Sequence, residues 1–402
     1  MILVLSAVIL TFTATLADAQ NNQNSTYLSG LLQTLNNAGL TCLASAVGSV
    51  NSTSTGNQLL ANLSNQKNNY TVFAPNNDAF SNAPSSATQD PNVLTDVVAY
   101  HVVFGHFPNV TDYPNTTIGR TSLEDSSVVM LEGNKSQVVA WARREDGQVH
   151  VLNQNRTNNP HISQQISYQN LNIYVIDGIL DYPADINRTF QSNSDLTGFA
   201  NLADNTDVPI WSTGDHTNKN TTVAEVLYGI RGLTLLVPSS QASIQEIPQI
   251  SSNHTQLWAI LRNHIINGTT VYSPSFVNST HVSAAGQNLH FSSNSTGKFV
   301  TSGNTTARIV QPDVLTKNGV LHIIDRVLLN SEVNENAADH AYSSATELAG
   351  HSSTETGPVG VPTGGSNGSI GGVNGAVGNW KGLSVFGVTA LSIALGFFFL
   401  FG

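Results

Sequence analysis

The sequence predicts a mixed α and β protein built from two tandem copies of one domain, with an apolar segment at each end. Three repeated features predict it. A strand–proline–helix-cap pattern occurs twice, 163 residues apart. A helical face ending in histidine recurs at the same spacing. An asparagine-led apolar strand then recurs at the shorter spacing of 148 residues.

The first element is an address. Ile2 to Phe12 is an apolar run leading to Ala17-Asp18-Ala19, a small-x-small cleavage site before Gln20. This reads as a secretory signal over residues 1–19. The alternative is an N-terminal membrane anchor, but the run is short for a span. A single cysteine, Cys42, rules out an intrachain disulfide framework. Its apolar neighbours, Leu40 to Ala44, predict a buried inert thiol rather than an intermolecular bridge.

The opening strand of the first copy is Thr71-Val72-Phe73-Ala74-Pro75, followed by Asn76, Asn77, Asp78 and Phe80. The second reads Thr234-Leu235-Leu236-Val237-Pro238, followed by Ser239 and Ser240. Each is a short apolar strand ended by proline, then a side chain suited to capping a helix. Next, Leu94, Val97, Val98 and His101 align with Leu257, Ile260, Leu261 and His264. The spacing i, i+3, i+4, i+7 makes each set one helix face. Gly105 aligns with Gly268. The closing strands are Asn170 to Asp177 and Asn318 to Asp325. The difference between offsets, 163 − 148, puts about 15 extra residues between helix and closing strand of the first copy. Domains are expected at 20–184 and 185–331. Residues 332–381, rich in Ser, Gly and Asn, are expected to be a flexible stalk.

The last element is a second address. Leu383 to Gly402 is uncharged and apolar or small throughout. Small residues, a short spacer and a terminal apolar tail form the pattern of a GPI-attachment signal over 382–402. Asn374 and Asn367 are the candidate attachment residues, and a retained tail anchor is the alternative.

Composition excludes several classes. The 402 residues carry a formal charge of −11 and a pI of about 5.4, which argues against nucleic acid as a partner. Only 10% of residues are charged while 40% are hydrophobic, so uncharged polar groups must cover the surface. Among 44 asparagines, sixteen stand in Asn-x-Ser/Thr sequons: Asn24, Asn51, Asn62, Asn69, Asn109, Asn115, Asn134, Asn155, Asn187, Asn220, Asn253, Asn267, Asn278, Asn294, Asn304 and Asn367. In a secreted chain these are N-glycosylation candidates; a high Asn, Ser and Thr content also produces some by chance.

These motifs, in order and twice, resemble the fasciclin domain family in its fungal GPI-anchored, two-domain form. Thr71 to Phe80 matches the first family motif. Tyr100-His101-Val102-Val103 with Gly105 matches the central one, and Val175 to Leu180 the closing one. Leu31, Leu32, Leu35 and Ala38-Gly39-Leu40 look like the family's first helix. The second copy departs from the pattern at Leu236-Val237 and at Asn263, which stands where the first has Tyr100. The resemblance implies an α+β fold, a wedge of β-strands with helices packed at one side. It also implies an extracellular adhesion or matrix-interacting protein rather than an enzyme.

The candidate structural or binding residues are thus Thr71, Phe73, Pro75, Asp78, Tyr100, His101, Gly105 and Asp177, with Pro238, His264, Gly268 and Asp325. His101 and His264 each share a helix face with aliphatic residues, which favours a core histidine satisfied by backbone or a carboxylate. Asp177 and Asp325 are the candidate carboxylates. No metal and no cofactor are expected: His101 and His106 lie five apart, and no His-Glu-x-x-His or paired-Cys pattern occurs. Gly364 to Gly368 fits Gly-x-Ser-x-Gly but sits in the expected stalk, not on a strand-to-helix elbow. Glu124-Asp125 and Glu145-Asp146 are adjacent acids, expected to be solvated. No Arg-Gly-Asp occurs.

The expected function is cell–cell, cell–matrix or cell-wall association, with protein or glycan partners and the membrane reached through a GPI lipid. The alternatives are a structural, carbohydrate-binding wall component or a surface glycan hydrolase using an Asp/Glu pair.

Overall fold

The computed structural model describes residues 24–154, 159–209, 220–239, 253–351 and 354–361. The expected signal, Asn155, Asn367, Asn374, the Gly-x-Ser-x-Gly stretch and the terminal tail lie outside the described residues, as does the side chain of Asn220.

The first domain opens with α1 (24–37), α2 (Thr41–Val50) and α3 (Ser54–Ser64). Strand β1 (Tyr70–Pro75) follows, then α4 (Asn77–Ser81), α5 (Ser85–Thr88) and α6 (Pro91–His101). Asn76 caps α4 by accepting from the amide of Ala79. Asp90 caps α6, and Pro91 sits in its first turn, where no N–H is needed. Helix α6 runs directly into β2 (Val102–Phe104). After β3 (Thr117–Arg120), β4 (Val138–Arg143) and β5 (Val149–Val151) come β6 (Ile162–Tyr168) and β7 (Leu171–Ile176). One sheet has the order β2-β1-β7-β6 and another β3-β4-β5. Strands β1 and β7 are parallel.

The second domain repeats the plan. It contains α7 (Ile186–Ser192), α8 (Thr197–Asn205), β8 (Asp207–Pro209), β9 (Asn220–Thr222), α9 (Val223–Gly229) and β10 (Leu233–Pro238). Helix α10 (His254–Arg262) leads into β11 (Ile265–Ile266). Then come β12 (Ser279–Val282), β13 (Asn288–Asn294), β14 (Gly297–Ser302), β15 (Thr305–Thr316) and β16 (Gly319–Ile324). They form one sheet, β11-β10-β16-β15-β14-β13-β12.

The two offsets hold at the level of strand register. Tyr70 lies opposite Leu171 in the first parallel pair, and Leu233 opposite Gly319 in the second. Adding 163 and 148 to the first pair gives the second. Both domains therefore have the mixed α+β architecture, with helices packed on one side of a sheet.

Two expectations need correction. Cys42 is half-buried on α2 rather than fully enclosed. The stretch expected to begin the stalk is folded. Helix α11 (Glu335–His351) starts at Asn334, whose Oδ1 accepts from the amide of Ala337. Its Glu335 pairs with Arg262 at 2.6 Å. Residues 354–361 then lie across the first domain: the Val359 amide bonds Ile118 O at 2.8 Å, and Val359 is 5% exposed. This C-terminal clasp is part of the body.

Candidate functional site

The motif residues converge at the end of α6 and its twin α10. His101 Nε2 accepts from the backbone amide of Leu180 at 2.9 Å, so its proton sits on Nδ1, which donates to Val97 O at 2.7 Å. His264 repeats both bonds, from Leu328 at 3.0 Å and to Ile260 O at 2.8 Å. Each ring ties the last helical turn to the residues after the closing strand. Burial pushes the His264 pKa down to about 4, so this imidazole is neutral at pH 7.

The aspartates do not serve these histidines. Asp177 accepts from the His161 amide at 2.8 Å and meets that ring at 2.9 Å. Asp325 accepts from the Arg308 amide and pairs with Arg326. Of the two expected partners, backbone or a carboxylate, backbone groups satisfy both rings.

The remaining motif residues are mostly internal. Thr71 is fully buried and donates to Gly105 O at 3.0 Å. Phe73 is fully buried against Trp141, with ring centroids 5.3 Å apart. Pro75 and Pro238 end their parallel strands opposite Ile176 and Ile324. Tyr100, 1% exposed, donates to Val138 O. Asn263 at the twin position donates to the carbonyls of Ala259, Asn330 and Glu332. Neither is a contact surface. Asp78, in the first turn of α4, is exposed, as is Asp177.

Gly105 and Gly268 have φ of +100° and +79°. A Cβ on Gly105 would collide with the carbonyl of Thr356, and one on Gly268 would press Tyr342 of α11 at 3.1 Å. The clasp packs tightly against both motif glycines, as it also does against Gly133 and Gly286. Sequence reasoning aligned the two glycines as motif positions but missed this contact, since the two partners are far apart in the chain.

Sequence reasoning also missed the seam between the domains. Ile118, Val138, Ala140 and Ala142 of the first pack with Tyr272, Leu315 and Val320 of the second, and with Val359. Around them, buried Asp313 accepts from Thr116 Oγ1 at 2.5 Å and from the Ser273 amide at 2.8 Å. Gln137 donates to Thr316 O, Asn153 to Asp313 O, and Thr270 to buried Glu132. Arg120, 2% exposed, holds Glu355 of the clasp at 3.0 Å and donates to Ser136 O.

Ser273, Asp313 and His322 lie together here without forming a hydrolytic triad. Ser273 Oγ donates directly to Asp313. His322 accepts the Asp313 amide on Nδ1, so Nε2 carries the proton and donates to Val271 O at 2.8 Å. No ring nitrogen is left to take a proton from the serine. Glu124, Asp125, Glu145 and Asp146 are all exposed. Among the described residues no group of three or more His, Cys, Asp or Glu side chains is arranged to hold a metal, and no helix is long and apolar enough to cross a membrane.

The fasciclin domain family model matches residues 47–183 and 212–330, more than half of the chain. The chain belongs to the fasciclin domain family. Among its curated relatives is the "Fasciclin-like arabinogalactan protein" of Arthroderma benhamiae, 24% identical over 65% of this chain and 59% of that one. Another is the "Immunogenic protein MPB70" of Mycobacterium bovis, 32% identical over 29% of this chain and 51% of that one. The chain thus spans under two thirds of either relative. A solved fasciclin domain pair from the insect cell adhesion molecule Fasciclin I aligns over 75% of this chain and 99% of that one, at 13% identity and a TM-score of 0.31.

Proposed function

We propose that this chain is a secreted, GPI-anchored surface protein that mediates cell–cell, cell–matrix or cell-wall association through its tandem fasciclin domains. The observation that carries the reading is the use of the motif residues. Their polar groups are spent inside the fold, as on His101 and His264, which suits a rigid presented body rather than a reaction centre. The two terminal address patterns supply export and attachment.

Weak single contacts suffice for such a role, because many tethered copies raise the effective concentration of each binding event. The test is a full-length chain carrying a tag after Gln20, expressed on a fungal surface. Phosphatidylinositol-specific phospholipase C should release the tag and abolish aggregation of the cells. A chain that resists release yet is extracted by detergent would point to a retained helix and against the anchor.

A second reading is favoured by the uncharged, amide-rich surface and by the relative named as an arabinogalactan protein. In it the domains hold wall polysaccharide. Saturable binding of the purified ectodomain to wall glycan, without cell–cell aggregation, would select this reading.

A further inference from the structure

The asparagines of this protein divide into two chemical classes, and the division follows the sequons. Thirteen sequon asparagines have described side chains, and none of them is buried. The three buried asparagines, Asn172, Asn263 and Asn318, are all outside sequons. Hydrogen bonding separates the classes further. Nine of the 22 described non-sequon asparagines donate from Nδ2 to a partner. None of the thirteen sequon asparagines does. Seven of them are nonetheless engaged, each only as an acceptor through Oδ1.

The distinction matters because N-glycosylation replaces one of the two Nδ2 hydrogens with a sugar and spares Oδ1. An asparagine such as Asn318, whose Nδ2 holds the carbonyls of Leu227 and Ile230, could not carry a sugar without losing at least one of those bonds. Asn253 caps α10 through Oδ1, and Asn294 closes its turn by accepting from Thr296, so both roles survive the modification.

Two of the sites lie on the seam. Asn115 Oδ1 accepts from Lys298 Nζ at 2.8 Å, and Asn134 Oδ1 accepts from Arg231 Nη1 at 3.1 Å. Both asparagines belong to the first domain and both cations to the second, and both asparagines are exposed. We propose that Asn115 and Asn134 are glycosylated, and that each sugar-bearing amide still clamps the second domain through its carbonyl oxygen. In the reaction Nδ2 bonds to the sugar as the glycosyl–phosphate bond of a lipid-pyrophosphate-linked oligosaccharide breaks. The amide loses one proton and the lipid pyrophosphate leaves. The sugars then rim the seam on the side of Lys298 and Arg231. This rests on the secretory reading above.

The test is site mapping of the full-length chain expressed in a fungal host. Peptide-N-glycosidase in heavy-oxygen water marks each occupied asparagine as a labelled aspartate. Label at Asn115 and Asn134, with a melting midpoint unchanged after the sugars are removed, is the expected result. That treatment leaves an oxygen acceptor in place. Label at Asn278 and Asn294 but not at the two seam sites overturns the proposal while leaving the secretory reading intact. Label at no site overturns both. As a second measurement, Asn115→Asp/Asn134→Asp should melt like the parent, and Asn115→Ala/Asn134→Ala should melt lower; equal melting of all three overturns the clamp.

Discussion

At the scale of single residues, the two buried histidines are brackets, and their removal has a calculable cost. His264→Ala strips the Leu328 amide of its acceptor and leaves a void in a closed core. We expect a loss of about 2–4 kcal/mol, read as a lower urea midpoint, with His101→Ala close behind. The pH dependence has a definite sign. The folded His264 pKa of about 4 lies below the ordinary histidine value of 6.5, so the unfolded chain binds the proton more readily. Stability from this group is complete above pH 6.5 and falls as the pH drops toward 4. Asp96 acts in the opposite direction. Burial, and then the charge on Asp125, raise its pKa to about 6 from 3.8. Its ionisation therefore costs stability as the pH rises from about 4 to 6. Asp96→Asn should raise the melting temperature at pH 7 and leave it little changed at pH 3.5. A lower melting temperature at pH 7 would show that the carboxylate has a favourable partner.

At the scale of elements, the repeat was legible because its signals are local. The strand–proline–cap pattern, the helix face ending in histidine and the closing strand each occupy under a dozen residues, and two offsets carried one copy onto the other. The clasp was not legible because α11 has almost no apolar stripe; its buried residues are Ala345 and Ala349. Yet its start was signalled, since Asn334 heads a run free of Gly and Pro from Glu335 to Ala349. The bond between Glu355 and Arg120 spans 235 positions and has no local signature. It is also the clasp's most vulnerable point. Arg120 is enclosed, so Glu355→Ala leaves a buried guanidinium without its carboxylate. We expect a cost of about 3 kcal/mol by denaturant titration. Gly105→Ala should cost more in the full chain than in one ending at Asn334, where only the left-handed backbone is strained. Equal costs would mean that Thr356 yields without resistance.

At the scale of the whole molecule, the seam is a head-to-tail contact, which in principle can repeat without end. The chain's own twin positions show why it stops at two. Leu315 and Val320 face the first domain, while their twins under the 148-residue offset are Ser167 and Asn172. On the receiving side Ile118 pairs with Ala140 under the second domain, whereas the pair at the same strand positions in the second copy, Thr280 and His290, is polar and hydrogen-bonded at 2.8 Å. At these twin positions the apolar residues are the ones that meet across the seam. The first domain alone should therefore self-associate in sedimentation, and Ile118→Thr/Ala140→His should return it to a monomer. A fragment that is monomeric without these changes would show that the seam face is not adhesive. None of this pairing could be read from strand alternation, which marks which residues are apolar but not which of two apolar faces meets a neighbour.

The clasp also decides how the molecule answers to load. The described residues end at Val361, beside the seam rather than at either core. Asn367 and Asn374 follow six and thirteen residues later, within about 20 and 45 Å of fully extended chain. A pull from that end meets Val359 first, then the Arg120–Glu355 bond, then α11, one after another. Peeling residues 335–361 would pay out about 90 Å of chain before tension reaches the β-sheets. The clasp is thus a mechanical fuse, yielding stepwise while both domains keep their shape.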